Sequence, residues 1–322
     1  MAPLLPAAVR GLPRRLRRLV PTLREFRRNA VETVRPSILV LAAASRCNAS
    51  CSFCFDFKRL EGVMSLAQFE HLLDKLAPDL ELVDFSFYGE ALLNPELPAL
   101  IASARARGLG TILYSNGMLL DAERSAALAA SGIDAVVINL NAWMPDFKVD
   151  SPDTLPARHV GQVDAFVAAC PPQTLVVLQV IAPRARVPFR RRALAARFAA
   201  APNLTVRVKR EELFSYDRPI APRAPVRCYR PFEEIAVSPD GEVLVCCKDM
   251  LRKHGFGNLL TDDLDTIWVE RMNTLRRHND AALCARCEAP SDVSRFAADV
   301  VLSPLGARTL YLRTAAALFA RR

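Results

Sequence analysis

The sequence predicts an α/β fold built on a parallel sheet, followed by a small β-hairpin and helix unit. Two observations carry this prediction. Short apolar runs alternate with helical segments to give six β/α units between residues 38 and 209. Beyond residue 226 the pattern changes to two short alternating strands around Pro239-Asp240-Gly241, a combination typical of a hairpin. With 322 residues, of which 51% are hydrophobic, the chain can bury a core in both units.

The strands of the first unit are expected at the apolar runs, which are Ile38–Ala44, Leu82–Phe87, Thr111–Tyr114, Ala135–Leu140, Leu175–Ile181 and Leu204–Lys209. Helices are expected between them, over Met64–Ala77, Pro98–Arg107, Ala122–Ala130, Val160–Ala169 and Phe189–Ala199. Ser65 is a candidate N-cap, and Gly108 and Gly132 follow the ends of two helices.

The second unit follows a proline-containing linker over residues 211–227. Its predicted elements are strands Glu234–Val237 and Glu242–Val245 and a helix over Asp265–Arg277. The final residues, 291–322, are expected to form a closing amphipathic helix.

Positive charge is concentrated at the amino end of the chain. Residues 1–36 contain nine Arg and two Glu, so most of the formal net charge of +9 lies there and the remaining body is nearly neutral. This distribution does not predict a specific nucleic-acid surface. The arm over residues 1–36 either docks on an anionic membrane or a protein partner, or packs as a helix across the unit of six β/α repeats with its arginines in solvent.

The cysteines indicate metal ligation in a reducing compartment. The chain has nine of them, no export signal is visible, and no apolar run is long enough to span a bilayer. Clustered thiols in such a chain are typical of metal sites rather than disulfides, so we expect a cytoplasmic protein.

Three of these thiols, Cys47, Cys51 and Cys54, have the spacing C-x3-C-x2-C and directly follow the first predicted strand. Three thiolates can ligate three irons of a 4Fe–4S cluster and leave the fourth iron open for a cofactor or substrate. A zinc site is the alternative, but it usually needs four ligands, and no further Cys or His lies within fifteen residues.

This cysteine pattern resembles that of the radical S-adenosylmethionine (SAM) enzymes. The resemblance implies that SAM chelates the open iron of a 4Fe–4S cluster and is cleaved to a 5′-deoxyadenosyl radical. It also implies a partial (β/α)6 TIM-like barrel, here over residues 37–215, and an electron donor such as flavodoxin or ferredoxin.

Other residues match family motifs. Tyr88-Gly89-Glu90-Ala91 resembles the Gly-Gly-Glu-Pro motif after the second strand, which implies that Gly89 and Glu90 bind the SAM ammonium. Tyr88 replaces the first Gly and would narrow the site or touch substrate. By position in the family, the remaining SAM-binding candidates are Phe53, Ser115, Asn116, Asn139, Asn141 and Gln179.

The carboxyl-terminal unit, residues 226–290, resembles the auxiliary-cluster module of the SPASM and twitch subfamilies. The spacing from Gly241 to the next cysteine selects Cys246 over Cys247 as a ligand. The resemblance implies one auxiliary 4Fe–4S cluster, held by Cys228, Cys246, Cys284 and Cys287. A zinc ribbon fits the same four thiols chemically.

Two cysteines remain. Cys170 is expected to be a small buried hydrophobe. Cys247, beside the auxiliary ligands, is either a hydrogen-atom donor to a substrate radical or a packing residue of the hairpin.

The resemblance implies hydrogen abstraction from a substrate C–H bond, for dehydrogenation or epimerisation of a sugar or aminocyclitol. A peptide-modifying enzyme is the alternative, since relatives of that kind share the module. A non-catalytic metal-binding adaptor is the alternative from another class.

Overall fold

The structure is a computed structural model that describes residues 35–51, 54, 61–77, 79–144, 155–182, 194, 196–198, 202–210 and 234–276. Its strands are β1 (Ile38–Leu41), β2 (Leu82–Phe85), β3 (Gly110–Ser115), β4 (Ala135–Asn139), β5 (Leu175–Ala182), β6 (Leu204–Arg210), β7 (Glu234–Val237), β8 (Glu242–Leu244) and β9 (Gly255–Asn258).

The helices lie between and after these strands. They are α1 (Leu66–Leu76), α2 (Leu97–Ala106), α3 (Ala122–Ala130), α4 (Ala157–Ala169) and α5 (Leu264–Arg276). Single 3-10 turns, Ala91–Leu93 and Leu140–Trp143, follow β2 and β4. Most of the predicted helix Phe189–Ala199 lies outside the described residues, as do the amino-terminal arm and the closing helix.

All nine strands belong to one sheet in the order β6-β5-β4-β3-β2-β1-β7-β8-β9. Strands β6 through β1 pair in parallel, which confirms the predicted α/β class. β7 also pairs with β1 in parallel, from Ile38 opposite Glu234 to Leu41 opposite Val237. The hairpin unit predicted as a small second domain therefore continues the sheet of the first, and β8 and β9 extend it as antiparallel strands.

Local sequence chemistry explains where the elements begin and end. Ser65 caps α1, where its hydroxyl accepts a hydrogen bond from Gln68 N and the Gln68 side chain accepts one from Ser65 N, so a capping box is present. Gly108 follows α2 with a φ of 76°, in the left-handed region that favours glycine. The structure adds β9, which the sequence pattern did not predict because its residues Gly255–Asn258 include two glycines.

The two faces of the sheet bury different sets of side chains. One face packs against the helices in the largest core, which includes Phe69, Phe85 and Phe166. The other face carries smaller apolar clusters, such as that of Val137 and Val177, and is called the inner face below. In a sheet of β/α units the helices cover the outside, so the inner face corresponds to the interior of the predicted barrel.

The carboxyl-terminal helix is attached to the sheet by a buried arginine. Arg271 is fully buried and donates hydrogen bonds to Glu234 O and Val245 O, both at 2.9 Å. Its guanidinium also lies 5.1 Å from the centre of the Trp268 ring, a cation–π contact. These bonds join α5 to the backbone of β7 and to the residue after β8.

No helix in the described part of the chain has the length and apolar character that crossing a bilayer requires.

Candidate active site

A strained turn at the end of β2 brings the Gly89-Glu90 pair against the cysteine loop. Phe87 has a φ of 89°, which is rare for a residue with a side chain, and Gly89 has a φ of 74°. A Cβ on Gly89 would lie 2.0 Å from Ala44 O, so only glycine fits this approach. Glu90 N then donates to Arg46 O at 2.8 Å, next to Cys47.

Glu90 is buried and lies at the centre of a hydrogen-bond network. Its Oε1 accepts from Ser115 Oγ at 2.7 Å and from Leu92 N at 3.1 Å, and its Oε2 accepts from Asn116 N at 2.7 Å. Burial raises the pKa of the Glu90 carboxyl, and these donors oppose that effect. A cation bound at this carboxylate would favour its charged form further, as the predicted contact with the SAM ammonium requires.

Asn116 links β3 to the cysteine loop and to the turn after β4. Its Nδ2 donates to Asn48 Oδ1 at 2.7 Å and lies 4.0 Å from Cys47 Sγ. Its carbonyl oxygen accepts a 2.6 Å hydrogen bond from Trp143 Nε1. The predicted pair Ser115-Asn116 is therefore in contact with Glu90 and with the first cysteine of the motif.

The three cysteines of the motif lie close enough to influence one another. Cys54 N donates to Cys51 O at 3.0 Å, which joins the backbones of the last two cysteines. Burial, and to a smaller extent the neighbouring Cys54 and Cys47, raise the pKa of the Cys51 thiol to about 12. Burial also raises the pKa of the Cys47 thiol. A buried thiol whose ionisation is opposed by two neighbouring cysteines fits a site where bound iron stabilises the thiolates.

This donor set suits an iron–sulfur cluster better than a single ion. In the described part of the chain, no three Cys, His, Asp or Glu side chains converge closely enough to hold one metal ion. A cube binds each thiolate on a separate iron and therefore spaces its ligands more widely than one zinc does. Cys47, Cys51 and Cys54 would hold such a cluster, and Glu90 lies across the turn from them.

The other SAM-binding candidates lie at the ends of β4 and β5. Asn139 and Gln179 are register partners in these neighbouring strands. Asn141 is buried, and its side-chain amide pairs with the backbone of Ile181. Asn141 Nδ2 donates to Ile181 O at 3.0 Å, and Asn141 Oδ1 accepts from Ile181 N at 2.7 Å. Asn141 thus fixes the turn after β4 to β5, and its contact with SAM stays a prediction.

Tyr88 does not point toward Glu90's hydrogen-bond network but into an apolar cluster on the inner face. Its ring contacts that of Phe87 edge-on, with centroids 4.7 Å apart, and the same cluster packs against Cys47 and Cys247. Burial raises the pKa of the Tyr88 phenol, while the charge of Arg252 acts in the opposite direction. Tyr88 therefore lies between the first cysteine motif and the hairpin.

The adjacent cysteines of the hairpin pack against different clusters. Cys246 packs against the helix-side core, whereas Cys247 packs against the inner-face cluster that contains Tyr88. The loop that carries them is ordered by Asp249, which is fully buried and accepts from Lys253 N and His254 N at 3.0 and 2.9 Å. Only Cys247 of this pair is therefore placed toward the barrel interior.

Some predicted site residues lie outside the described residues. They are Phe53, Cys228, Cys284 and Cys287. Their roles stay predictions.

Two residues that sequence reasoning missed hold the site together. Asn48 accepts the Asn116 amide, and Trp143 donates to the Asn116 carbonyl. Asn48 directly follows the first cysteine, and this position in the sequence could have identified it as a site residue. No pattern identified Trp143, because a tryptophan in a loop after a strand has many alternative partners.

Comparison with known proteins identifies two domains in the chain. Residues 43–169 match the radical SAM superfamily, and residues 228–288 match the SPASM iron–sulfur cluster-binding domain. Curated relatives match over about a third of the chain. The cofactor-modifying protein of tungsten-containing aldehyde ferredoxin oxidoreductase from Pyrococcus furiosus is 31% identical over 107 residues, which are 32% of this chain and 30% of that protein. PqqA peptide cyclase of Streptomyces rochei is 32% identical over 109 residues, 33% and 30% of the two chains.

Solved structures extend the likeness in fold. BtrN in complex with AdoMet and 2-DOIA aligns with a TM-score of 0.50 and 18% identity, over 80% of this chain and 95% of that one. Streptococcus suis SuiB bound to the precursor peptide SuiA aligns with a TM-score of 0.61 and 14% identity, over 87% and 76%. The matched stretches span about a third of the length of the curated relatives, so those proteins' activities do not transfer directly.

The matched domains confirm the cofactors that the motifs imply, namely SAM, a SAM-binding 4Fe–4S cluster and auxiliary iron–sulfur binding. The chain therefore contains a radical SAM domain over residues 43–169 and a carboxyl-terminal SPASM domain over residues 228–288.

Proposed function

We propose that this enzyme abstracts a hydrogen atom from a hydroxylated small molecule and dehydrogenates or epimerises the carbon concerned. The observation that carries the proposal is the buried Glu90, which joins Ser115, Asn116 and the cysteine loop in one network. When bound, the cluster and SAM supply a 5′-deoxyadenosyl radical by one-electron cleavage.

The residues of the chain would bind and orient the cluster and SAM. Cys47, Cys51 and Cys54 would ligate three irons, and Glu90 would hold the SAM ammonium by a charge-assisted hydrogen bond. Its three internal donors fix the direction of the carboxylate before SAM arrives, so little reorganisation is needed on binding. The apolar inner-face cluster around Phe87 and Tyr88 excludes water from the neighbourhood of Cys47.

The carboxyl-terminal unit would decide the fate of the substrate radical. For a dehydrogenation, Cys228, Cys246, Cys284 and Cys287 would hold the auxiliary cluster, which when bound would supply a one-electron acceptor for the substrate radical. In an epimerisation, the Cys247 S–H returns a hydrogen atom to the opposite face, and an external electron and proton restore the thiol. The inner-face placement of Cys247 supports its assignment as that donor.

The test is anaerobic reconstitution with iron and sulfide, reduction, and measurement of 5′-deoxyadenosine. Wild type should bind about eight irons, four for each cluster, and cleave SAM, whereas Cys51→Ala should lose the cleavage. Bound zinc without cleavage would instead indicate the metal-binding adaptor. In deuterated water, deuterium at the product carbon would exclude simple oxidation, and a ketone without deuterium would exclude epimerisation.

A peptide substrate is the second candidate. It is favoured by the likeness to SuiB, whose structure holds its precursor peptide, and to PqqA peptide cyclase. We propose flavodoxin or ferredoxin as the electron donor in either case. Mass spectrometry of peptides and of aminocyclitols after turnover separates the two candidates.

A further inference from the structure

A series of hydrogen bonds runs from Trp143 to the carboxylate of Glu90. Trp143 is the last residue of the 3-10 turn after β4 and is 5% exposed, and its Nε1 donates to Asn116 O at 2.6 Å. That oxygen belongs to the peptide group between Asn116 and Gly117, and the nitrogen of the same group, Gly117 N, donates to Ser115 Oγ at 2.9 Å. Ser115 Oγ in turn donates to Glu90 Oε1 at 2.7 Å. These five residues are called the donor chain below.

All the bonds of the donor chain point the same way. An indole N–H and a backbone N–H can only donate, and an ionised carboxylate can only accept, so the single hydroxyl proton of Ser115 must face Glu90. Hydrogen bonds arranged head to tail polarise one another, so each donor strengthens the next. The indole of Trp143 therefore strengthens the donation that Glu90 receives, although it acts through two intervening groups.

The peptide group in the middle of the donor chain needs this support. Gly117 has a φ of 69°, and a glycine can leave this backbone region for others without a steric penalty. The indole also limits the turn by its shape, since a Cβ added to Gly117 would lie 2.7 Å from Ile138 Cγ2 and 3.6 Å from Trp143 Cζ2. Without the indole N–H, this peptide group could rotate and withdraw its own N–H from Ser115.

A rotation of this peptide group would also disturb the cysteine loop. Asn116 N donates to Glu90 Oε2 at 2.7 Å, and Asn116 Nδ2 donates to Asn48 Oδ1 at 2.7 Å. Asn48 follows Cys47, so Asn116 joins Glu90 to the segment that carries the first cysteine. The donor chain thus holds the residue on which both contacts depend.

Helix α4 holds the indole in place. His159, in the first turn of α4, has its ring centroid 5.3 Å from that of Trp143, at an interplanar angle of 32°. Its Nδ1 lies 2.8 Å from Gln162 Oε1, and a hydrogen bond to this carbonyl oxygen needs the proton on Nδ1. Aromatic rings at this separation attract each other beyond the effect of burial, so His159 favours the ring orientation that directs Nε1 at Asn116.

We propose that Trp143 is a positioning residue of the SAM site, which acts on Glu90 through the donor chain while His159 holds its indole in place. The carboxylate then meets SAM in one orientation, fixed by the donors behind it. The proposal rests on the assignment of Glu90 to the SAM ammonium and is independent of which substrate loses the hydrogen atom.

The first test removes the indole N–H and keeps an aromatic ring. In the anaerobically reconstituted, unreduced full chain, SAM affinity is measured by isothermal titration and iron content by chemical analysis, so no turnover is needed. Trp143→Phe should weaken SAM binding about two- to fivefold with unchanged iron content, because one buried hydrogen bond of the donor chain is lost. Trp268→Phe removes the other of the two tryptophans in the sequence and is the matched control, which should leave SAM affinity unchanged.

A double-mutant cycle separates the donor chain from a general loss of packing. Ser115→Ala breaks the connection between Trp143 and Glu90, so Trp143→Phe should cause no further loss of SAM affinity in that background. Losses that multiply in the double variant, or an unchanged SAM affinity of Trp143→Phe alone, would overturn the proposal.

Glu90→Gln tests the assignment on which the donor chain rests. If this variant binds SAM as tightly as the wild type, the role proposed for Glu90 fails and the donor chain fails with it. If Glu90→Gln weakens SAM binding while Trp143→Phe does not, only the donor chain fails.

His159 provides a second route that leaves the hydrogen-bonding groups of the donor chain intact. His159→Leu removes the stacked ring and should weaken SAM binding about two- to threefold, whereas His159→Phe, which keeps a ring, should restore the wild-type affinity. His71→Leu, at an exposed position of α1, is the control and should have no effect. Equal SAM affinities in the wild type and both His159 variants would overturn the role of His159, and the whole proposal if Trp143→Phe does not fold.

Discussion

We expect the methyl group added by Gly89→Ala to damage the site more than a methyl group added at any other position. Two effects add at this position. The left-handed backbone, with a φ of 74°, makes any L side chain unfavourable by about 1–2 kcal/mol. The new Cβ would also lie 2.0 Å from Ala44 O and 3.1 Å from Arg46 O, both backbone atoms that cannot rotate away.

The second effect can be measured against a control in the same chain. Gly108 has a nearly identical φ of 76°, and a Cβ there would meet nothing within 4 Å. Gly108→Ala should therefore show only the backbone penalty. Forcing a methyl group into a packed site adds about 1–3 kcal/mol, and displacement of Arg46 O would break the 2.8 Å bond from Glu90 N, which adds about 1 kcal/mol.

We expect Gly89→Ala to lower the free energy of unfolding by about 3–6 kcal/mol, and Gly108→Ala by about 1–2 kcal/mol. Urea denaturation of the metal-free chain measures both values. The iron content after reconstitution gives an independent measure, because the displaced carbonyls belong to the segment that carries Cys47. Equal destabilisation in the two variants, with equal iron content, would refute the argument that Gly89 is needed for a close backbone approach.

Three further predictions follow from the contacts. Ser115→Ala removes the 2.7 Å bond to Glu90 Oε1 and should weaken SAM binding about three- to tenfold with the iron content unchanged, measured by isothermal titration. Arg271→Met leaves backbone carbonyls unpaired next to Cys246 and should reduce auxiliary iron, seen by electron paramagnetic resonance, while Arg158→Met, at an exposed position of α4, serves as its control. Cys170→Ala should retain all the iron. In the wild type, burial raises the pKa of the Cys170 thiol to about 11. The thiolate is therefore scarce at pH 8, and Cys170 should not react with iodoacetamide at that pH.

The sequence allowed accurate placement of elements whose boundaries depend on local chemistry. Ser65 with Gln68 defined the start of α1, and α3 was predicted with its observed bounds, Ala122–Ala130. The pairing of β7 with β1 could not be predicted, since a parallel contact between segments almost two hundred residues apart leaves no local signal.

The site was predictable to the extent that motifs specify it. The resemblance to family motifs implied that Glu90, Ser115 and Asn116 belong to one site, and the structure places the three residues in contact. The contribution of Trp143 depends on a turn whose direction only the folded chain defines.

Because β7 pairs with β1, the SPASM unit is part of the same sheet and cannot be removed as an independent domain. A truncation after β6 would remove the neighbour of β1 and expose the backbone groups on that edge, among them Ala42 N, which donates to Val237 O, to solvent and to other chains. Because β1 leads directly into the cysteine loop, the same cut would disturb the support of the SAM-binding cluster. Exchange of carboxyl-terminal units between relatives must therefore preserve this strand pairing, or the hybrids will aggregate.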